Sequence, residues 1–216
     1  MQDTPISAIL DRLIDDGIKL SPMEATYMGI PGYDDQLDDL SPIGEKKRED
    51  LVRNALAAVK AEAPVNEFDR IAKEVAIERL SSELKLSETK ESHATFNLIA
   101  SPVTGIRQIF EMMKDSPELI SNVTKRLNAI QNAFDGWRQT IEAAAKDGKV
   151  NAKRQVLATA GQLDTFANGG FTAVAKKFNP ALDNSELVAA AKNAEKACAE
   201  LATQGKDSWS KDSSAS

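Results

Sequence analysis

The sequence is poor in the side chains from which reactive centres are usually built. One histidine, His93, and one cysteine, Cys198, occur in 216 residues. A single cysteine excludes an intrachain disulfide. A Ser-His-Asp or Cys-His site would have to pass through His93, which stands in the polar joint Glu91-Ser92-His93-Ala94. Cys198 has no nucleophile context. It falls in a helical pattern with Leu187, Ala191, Ala194 and Leu201, where a small thiol packs as core. A catalytic zinc site commonly takes two or three histidines plus a carboxylate, so the chain offers no metal-ligand set, and no catalytic residue and no cofactor is assigned to it. No H-E-x-x-H stretch, P-loop or dinucleotide fingerprint occurs. Glu74 and Glu78 lie one turn apart on a helix, but the Glu-x-x-His pairs of a di-iron bundle are missing, so they read as surface.

Other shortages bound the architecture. Aromatic residues make up 5% of the chain, which leaves alanine, leucine, isoleucine and valine to fill the core and favours close-packed helices over a sandwich. No stretch alternates at period two for long enough to make a strand, and no repeat of about 34 residues shows itself. No window approaches the roughly 18 apolar residues of a membrane span. The N-terminal Met-Gln-Asp-Thr-Pro is not a basic segment followed by an apolar run, so the chain as given reads as cytoplasmic. A net charge of −6 argues against a nucleic-acid partner, and Lys46-Lys47-Arg48 and Lys176-Lys177 are too short to reverse that. Both groups read as solvated helix faces.

What the chain does have is helix signal. Ile120, Val123, Leu127, Ile130, Phe134, Trp137 and Ile141 follow at alternating steps of three and four, a narrow apolar seam on one helix face. Ser116 reads as its N-cap, Pro117 as its first helical residue, and Lys146-Asp147-Gly148 as its stop, giving a helix of about 117–146 roughly 45 Å long. Thr4-Pro5, Ser21-Pro22, Ser41-Pro42 and Ser101-Pro102 open further helices, Asn66 opens one to about Glu88, and Asn151 reads as the cap of another. Gly169-Gly170 interrupts, Phe171 to Phe178 forms a short helix, and Ser185 to about Thr203 the last. These signals predict an all-α, multi-helix bundle of about seven to nine helices around the long heptad helix. Residues 1–204 read as a single helical domain or the N-terminal portion of a larger helical protein, and 205–216 as a polar, disordered tail.

The loop from Ile30 to Leu40 carries Asp34, Asp35, Asp38 and Asp39. Their spacing is not that of an EF-hand, and acidic residues ahead of Ser41 suit a helix N-terminus, so a structural role outranks a metal. The same region carries a resemblance. Ser21-Pro22-Met23-Glu24-Ala25-Thr26-Tyr27-Met28-Gly29, then Asp34-Asp35-Gln36-Leu37-Asp38-Asp39-Leu40-Ser41-Pro42, then Asn97-Leu98-Ile99-Ala100-Ser101-Pro102-Val103-Thr104-Gly105-Ile106-Arg107 resemble, in order, the N-terminal part of bacterial domain-of-unknown-function family 885. Ala152-Lys153-Arg154-Gln155-Val156 adds a fourth stretch, and the similarity runs from about Ile6 to Phe178.

The resemblance implies a helical fold similar to zinc carboxypeptidases of the thermostable-carboxypeptidase type, in proteins much longer than this one. It implies zinc for a full-length member, held by an H-E…P-G-H-H type motif that no position of this sequence matches. On that basis the chain is a non-catalytic N-terminal helical region of a carboxypeptidase-like protein, inactive alone. The alternative is a stand-alone helical interaction module, or a truncated gene product, without enzymatic activity. Arg107 and Arg154 are the substrate-binding candidates, since a guanidinium fork clamps a carboxylate, although either could equally bridge to an acidic neighbour within the bundle. The expected partner is the remainder of a parent protein or a helix docking on an exposed seam. An apolar face left uncovered, on the first helix or the alanine-rich last one, would promote self-association.

Overall fold

In a computed structural model the described residues are 4–91, 95–99 and 101–209; His93 lies outside them. The fold is all-α, with nine α-helices and no strand among the described residues: α1 (Pro5–Leu20), α2 (Pro22–Met28), α3 (Pro42–Ala61), α4 (Glu67–Thr89), α5 (Pro102–Met112), α6 (Leu119–Lys146), α7 (Lys153–Ala167), α8 (Gly170–Phe178) and α9 (Ser185–Gln204). The local signals act as their chemistry requires. Thr4 Oγ1 accepts from the Ser7 amide and Ser41 Oγ from the Gly44 amide, each with proline at the first helical position. Gly29 ends α2 at φ 73°, a left-handed conformation that a Cβ would disfavour.

Two bodies of core result. The larger surrounds α6, whose seam residues Val123, Leu127, Ile130, Phe134, Trp137 and Ile141 are buried, chiefly against α9, with α5, α7 and α8 closing around. The smaller lies among α1, α3 and α4, where Ile6, Val52, Leu56, Val59, Ala76 and Leu80 meet. The seam is therefore used inside the molecule and is not free for a partner helix. The alanine-rich face of α9 is equally occupied: Ala190, Ala191, Ala194 and Ala197 are buried, because small side chains let α6, α7 and α8 approach its backbone closely. Uncovered apolar surface remains on α4, where Phe68, Ile71, Val75 and Leu86 are each about half exposed, and on the first helix at Ile14, also about half exposed.

Three boundaries differ from the sequence reading. The long helix begins at Leu119: the Ser116 carbonyl accepts from the Leu119 amide at 3.1 Å, so Pro117 occupies a turn, which suits its fixed φ as well as a first helical position does. Asn151 does not cap α7. Its Oδ1 accepts from the Phe96 amide at 2.8 Å, tying the start of the 95–99 segment to the α6–α7 connection. Gly205–Trp209 continues α9 as a π-helical turn, and Trp209 is buried edge-on to Phe96, which stacks on Trp137 with ring centroids 5.0 Å apart. An indole carries enough apolar area to hold down a segment whose neighbours are polar. The rest of the expected tail lies outside the described residues.

Candidate functional site

Helix α6 has a second face beside its seam. Arg126, Ala133 and Thr140 recur at seven-residue spacing, with Gly136 between, and all four are buried. Against this column lies the connection from α2 to α3. The Thr140 hydroxyl donates to the Leu40 carbonyl at 2.8 Å. Gly136 admits the Ser41 backbone so closely that a Cβ there would stand 2.9 Å from the Ser41 nitrogen. Small and hydrogen-bonding side chains on one face and large apolar ones on the other let a single helix hold both a helical partner and a loop.

Arg126 is the centre of this contact. It is fully buried, yet its partners are not carboxylates. Nε donates to the Gln36 carbonyl at 2.9 Å, and Nη2 donates to the Tyr33 carbonyl at 3.1 Å and to Thr26 Oγ1 at 2.8 Å. The planar guanidinium thus joins α6, α2 and the loop at once, which an ammonium could not do from one position. Nη1 is buried with no acceptor among the described residues. Burial lowers the Arg126 pKa, and Asp34, Asp35 and Asp38 act against that by favouring the charge.

The loop carboxylates are themselves engaged. Asp34 accepts from the Thr26 hydroxyl at 2.8 Å, Asp35 pairs with Lys125 at 3.1 Å, and Asp39 accepts from the Ser41 amide at 3.0 Å. Asp38 reaches back to accept from the Met23 amide at 2.9 Å, and so supplies the cap for α2 that the Ser21 side chain does not. Burial raises the Asp38 pKa, while the Met23 amide, Arg48 and Arg126 pull the other way. Arg48, expected among solvated charges, instead donates to the carbonyls of Leu20 at 3.3 Å and Asp39 at 2.8 Å and pairs with Glu45, so it clasps the loop from the α3 side. Among the described residues, the aspartate cluster is the hydrogen-bonding frame of a fixed loop.

The other residues singled out in the sequence lie apart from this frame. Arg107, on α5, pairs with Glu111 one turn on at 2.8 Å, and Glu111 in turn pairs with Lys177 of α8. Arg154 is exposed on the first turn of α7. Among the described residues no hydrogen bond or ion pair joins the two arginines to a common partner. Glu74 pairs with Arg70 and Glu78 with Arg79, on the solvent side of α4. Cys198 is buried, and burial pushes its thiol up to about 12, so it stays protonated. Zinc does not fit the described residues: nowhere do three His, Cys, Asp or Glu side chains gather in a way that could hold a metal ion. Among the described residues, no helix is long and apolar enough to cross a membrane.

Sequence reasoning missed Arg126. A signal was available: it stands three residues after Val123 and four before Ile130, on the apolar side of the helix, where a charge is out of place unless something receives it.

No curated protein matches this chain. A family model described as "Bacterial protein of unknown function (DUF885)" matches residues 22–214, beginning at the first residue of α2 and taking in the clasped loop, Arg126 and the whole of the α6 bundle. With a match over most of its length, the chain belongs to the bacterial DUF885 family.

Proposed function

We propose that the chain is a non-catalytic helical region of a zinc carboxypeptidase-like protein, a framework that shapes one wall of a larger cleft. The observation that carries this reading is the fate of the acidic loop. The two segments around it carry the family resemblance, and their four aspartates are turned to helix caps, a hydroxyl and an ion pair, while Arg126 and Arg48 clasp the loop carbonyls. That is framework chemistry, in which the charged groups of the loop fix backbone and are not held ready for proton transfer. Arg107 and Arg154 would be accessory contacts to a substrate carboxylate, Arg107 only after exchanging its pairing with Glu111.

The uncovered stripe of Phe68, Ile71, Val75 and Leu86 on α4 supports the second part of the reading, that the remainder of a parent protein packs on this edge. The same stripe is the feature that favours the alternative, a stand-alone interaction module with no parent enzyme. An assay of the pure chain against a peptide library with free C-termini, with and without added zinc, tests the non-catalytic role. Release of amino acids no faster than the blank is expected under both conditions, and specific zinc-dependent hydrolysis would overturn it.

A further inference from the structure

A groove of about 350 Å³ opens where α1, α2, α3 and α4 meet. Its walls are apolar: Leu13, Ile14, Met28, Leu51, Val52 and Leu80 line it. Two exposed carboxylates also line it, Glu24 from α2 and Glu83 from α4. Neither is engaged by a hydrogen bond or ion pair among the described residues. The cation present, Arg48, is already committed to the carbonyls of Leu20 and Asp39 and to Glu45. A smaller depression adjoins along Arg48, Val52 and Glu83 and adds Glu45 and Glu49 to the lining. The groove therefore combines apolar walls with an excess of negative charge along its lining.

We propose that this groove binds a small aliphatic primary amine, its hydrocarbon chain along Leu13, Leu51 and Leu80 and its ammonium at Glu24 and Glu83. Charge complementarity selects the head: an aliphatic acid would meet two uncompensated carboxylates, and a neutral alcohol would leave them as they are. The volume lies at the small end of ligand pockets, about 300–1,000 Å³, which fits a single chain of about six to eight carbons and not a two-tailed lipid. Gly17 forms part of the wall, and a Cβ built on it would meet only Leu51 Cδ2, at 4.0 Å. That space is what the chain of the amine would occupy. The inference is independent of the framework reading, since it concerns the groove among α1, α2, α3 and α4 and needs no parent enzyme.

Calorimetric titration of the full chain with octylamine, octanol and octanoate provides the test. Saturable one-to-one binding of octylamine is expected, with octanol about tenfold weaker and octanoate undetectable, two exposed ion pairs together being worth about one decade. Gly17→Leu fills the groove and should abolish octylamine binding. Should that variant fail to fold, as read by its circular-dichroism melt, the double variant Glu24→Gln/Glu83→Gln decides: both positions are exposed, and its octylamine affinity should fall about tenfold, to that of octanol. Absence of saturable octylamine binding, equal affinity for octanol, or unchanged binding in a folded Gly17→Leu or Glu24→Gln/Glu83→Gln protein would each overturn the proposal.

Discussion

Arg126 directs a full positive charge at two main-chain carbonyls and a hydroxyl, with three aspartates close enough to favour the charge. Removing it leaves those acceptors buried and the aspartates uncompensated. Arg126→Met should destabilise the protein by about 3 kcal/mol, and Arg126→Lys by about 1–2 kcal/mol because one ammonium cannot reach all three acceptors. Urea denaturation reads the loss, and hydrogen exchange should locate it in accelerated amides from Tyr33 to Leu40. Glu195 offers a pH-dependent counterpart. It is almost fully buried in α9, accepts from the Thr172 amide at 2.7 Å at the start of α8, and pairs with Lys192 at 2.9 Å. Burial pushes its carboxyl up, but Lys192 and Thr172 together prevail and hold it below its usual value of 4.5. A lowered carboxyl pKa contributes stability that is present above the unfolded value and lost as pH falls through the folded one. Glu195→Gln should therefore be less stable than the parent by about 1–3 kcal/mol at pH 7, with the difference shrinking below pH 4.5 in thermal melts. Neither role was legible in the sequence. A charged residue in a helix reads as solvent-facing by default, and the carbonyls that receive Arg126 lie about 90 positions away, beyond the reach of any local pattern.

Helix α6 was legible as an element and illegible as a junction. Its seam announces itself because large apolar side chains repeat every three or four residues, and all six from Val123 to Ile141 are buried. Its other face is written in Ala133, Gly136 and Thr140, residues that look unremarkable until the Ser41 backbone is placed against them. The distinction can be measured by comparing two helical glycines. Gly161 in α7 has open space where a Cβ would stand, so Gly161→Ala should stabilise by about 0.5–1 kcal/mol through helix propensity. Gly136→Ala gains the same propensity but forces a Cβ to within 2.9 Å of a backbone nitrogen, and should lose about 1–3 kcal/mol overall. Opposite shifts in melting temperature are expected; a rise in both would mean that the loop is free to withdraw from α6. The Ser-Pro signals show the same mixture. Ser21, Ser41 and Ser101 do precede helices, and Ser116 precedes a turn, because proline suits both and only the residues beyond it decide.

Across the whole molecule, the sequence foretold the class and not the exposure. Helix α4 carries apolar residues around more than one side, and pattern alone does not tell the buried Ala76 and Leu80 from the half-exposed Ile71 and Val75. The helix in fact sits at an edge, with α1 and α3 on one flank only. An apolar dye should bind this edge, and Phe68→Ser/Ile71→Ser/Val75→Ser should abolish most of that signal without lowering the melting temperature, since these side chains contribute little burial. Loss of fold in the triple variant would show that the stripe is a part of the core.

The aromatic corner at the far end of the long helix has an optical consequence. Trp137 and Trp209, both tryptophans of the chain, flank the same phenylalanine, so ultraviolet emission excited at the red edge reports a single location. Both tyrosines, Tyr27 and Tyr33, lie instead on α2 and the clasped loop. The chain carries two spectrally separable reporters, one inside the core around α6 and one at the clasped loop. If the clasped loop were to loosen before the main bundle, tyrosine absorbance would change while tryptophan emission stayed constant, and the order of events could be followed without a label.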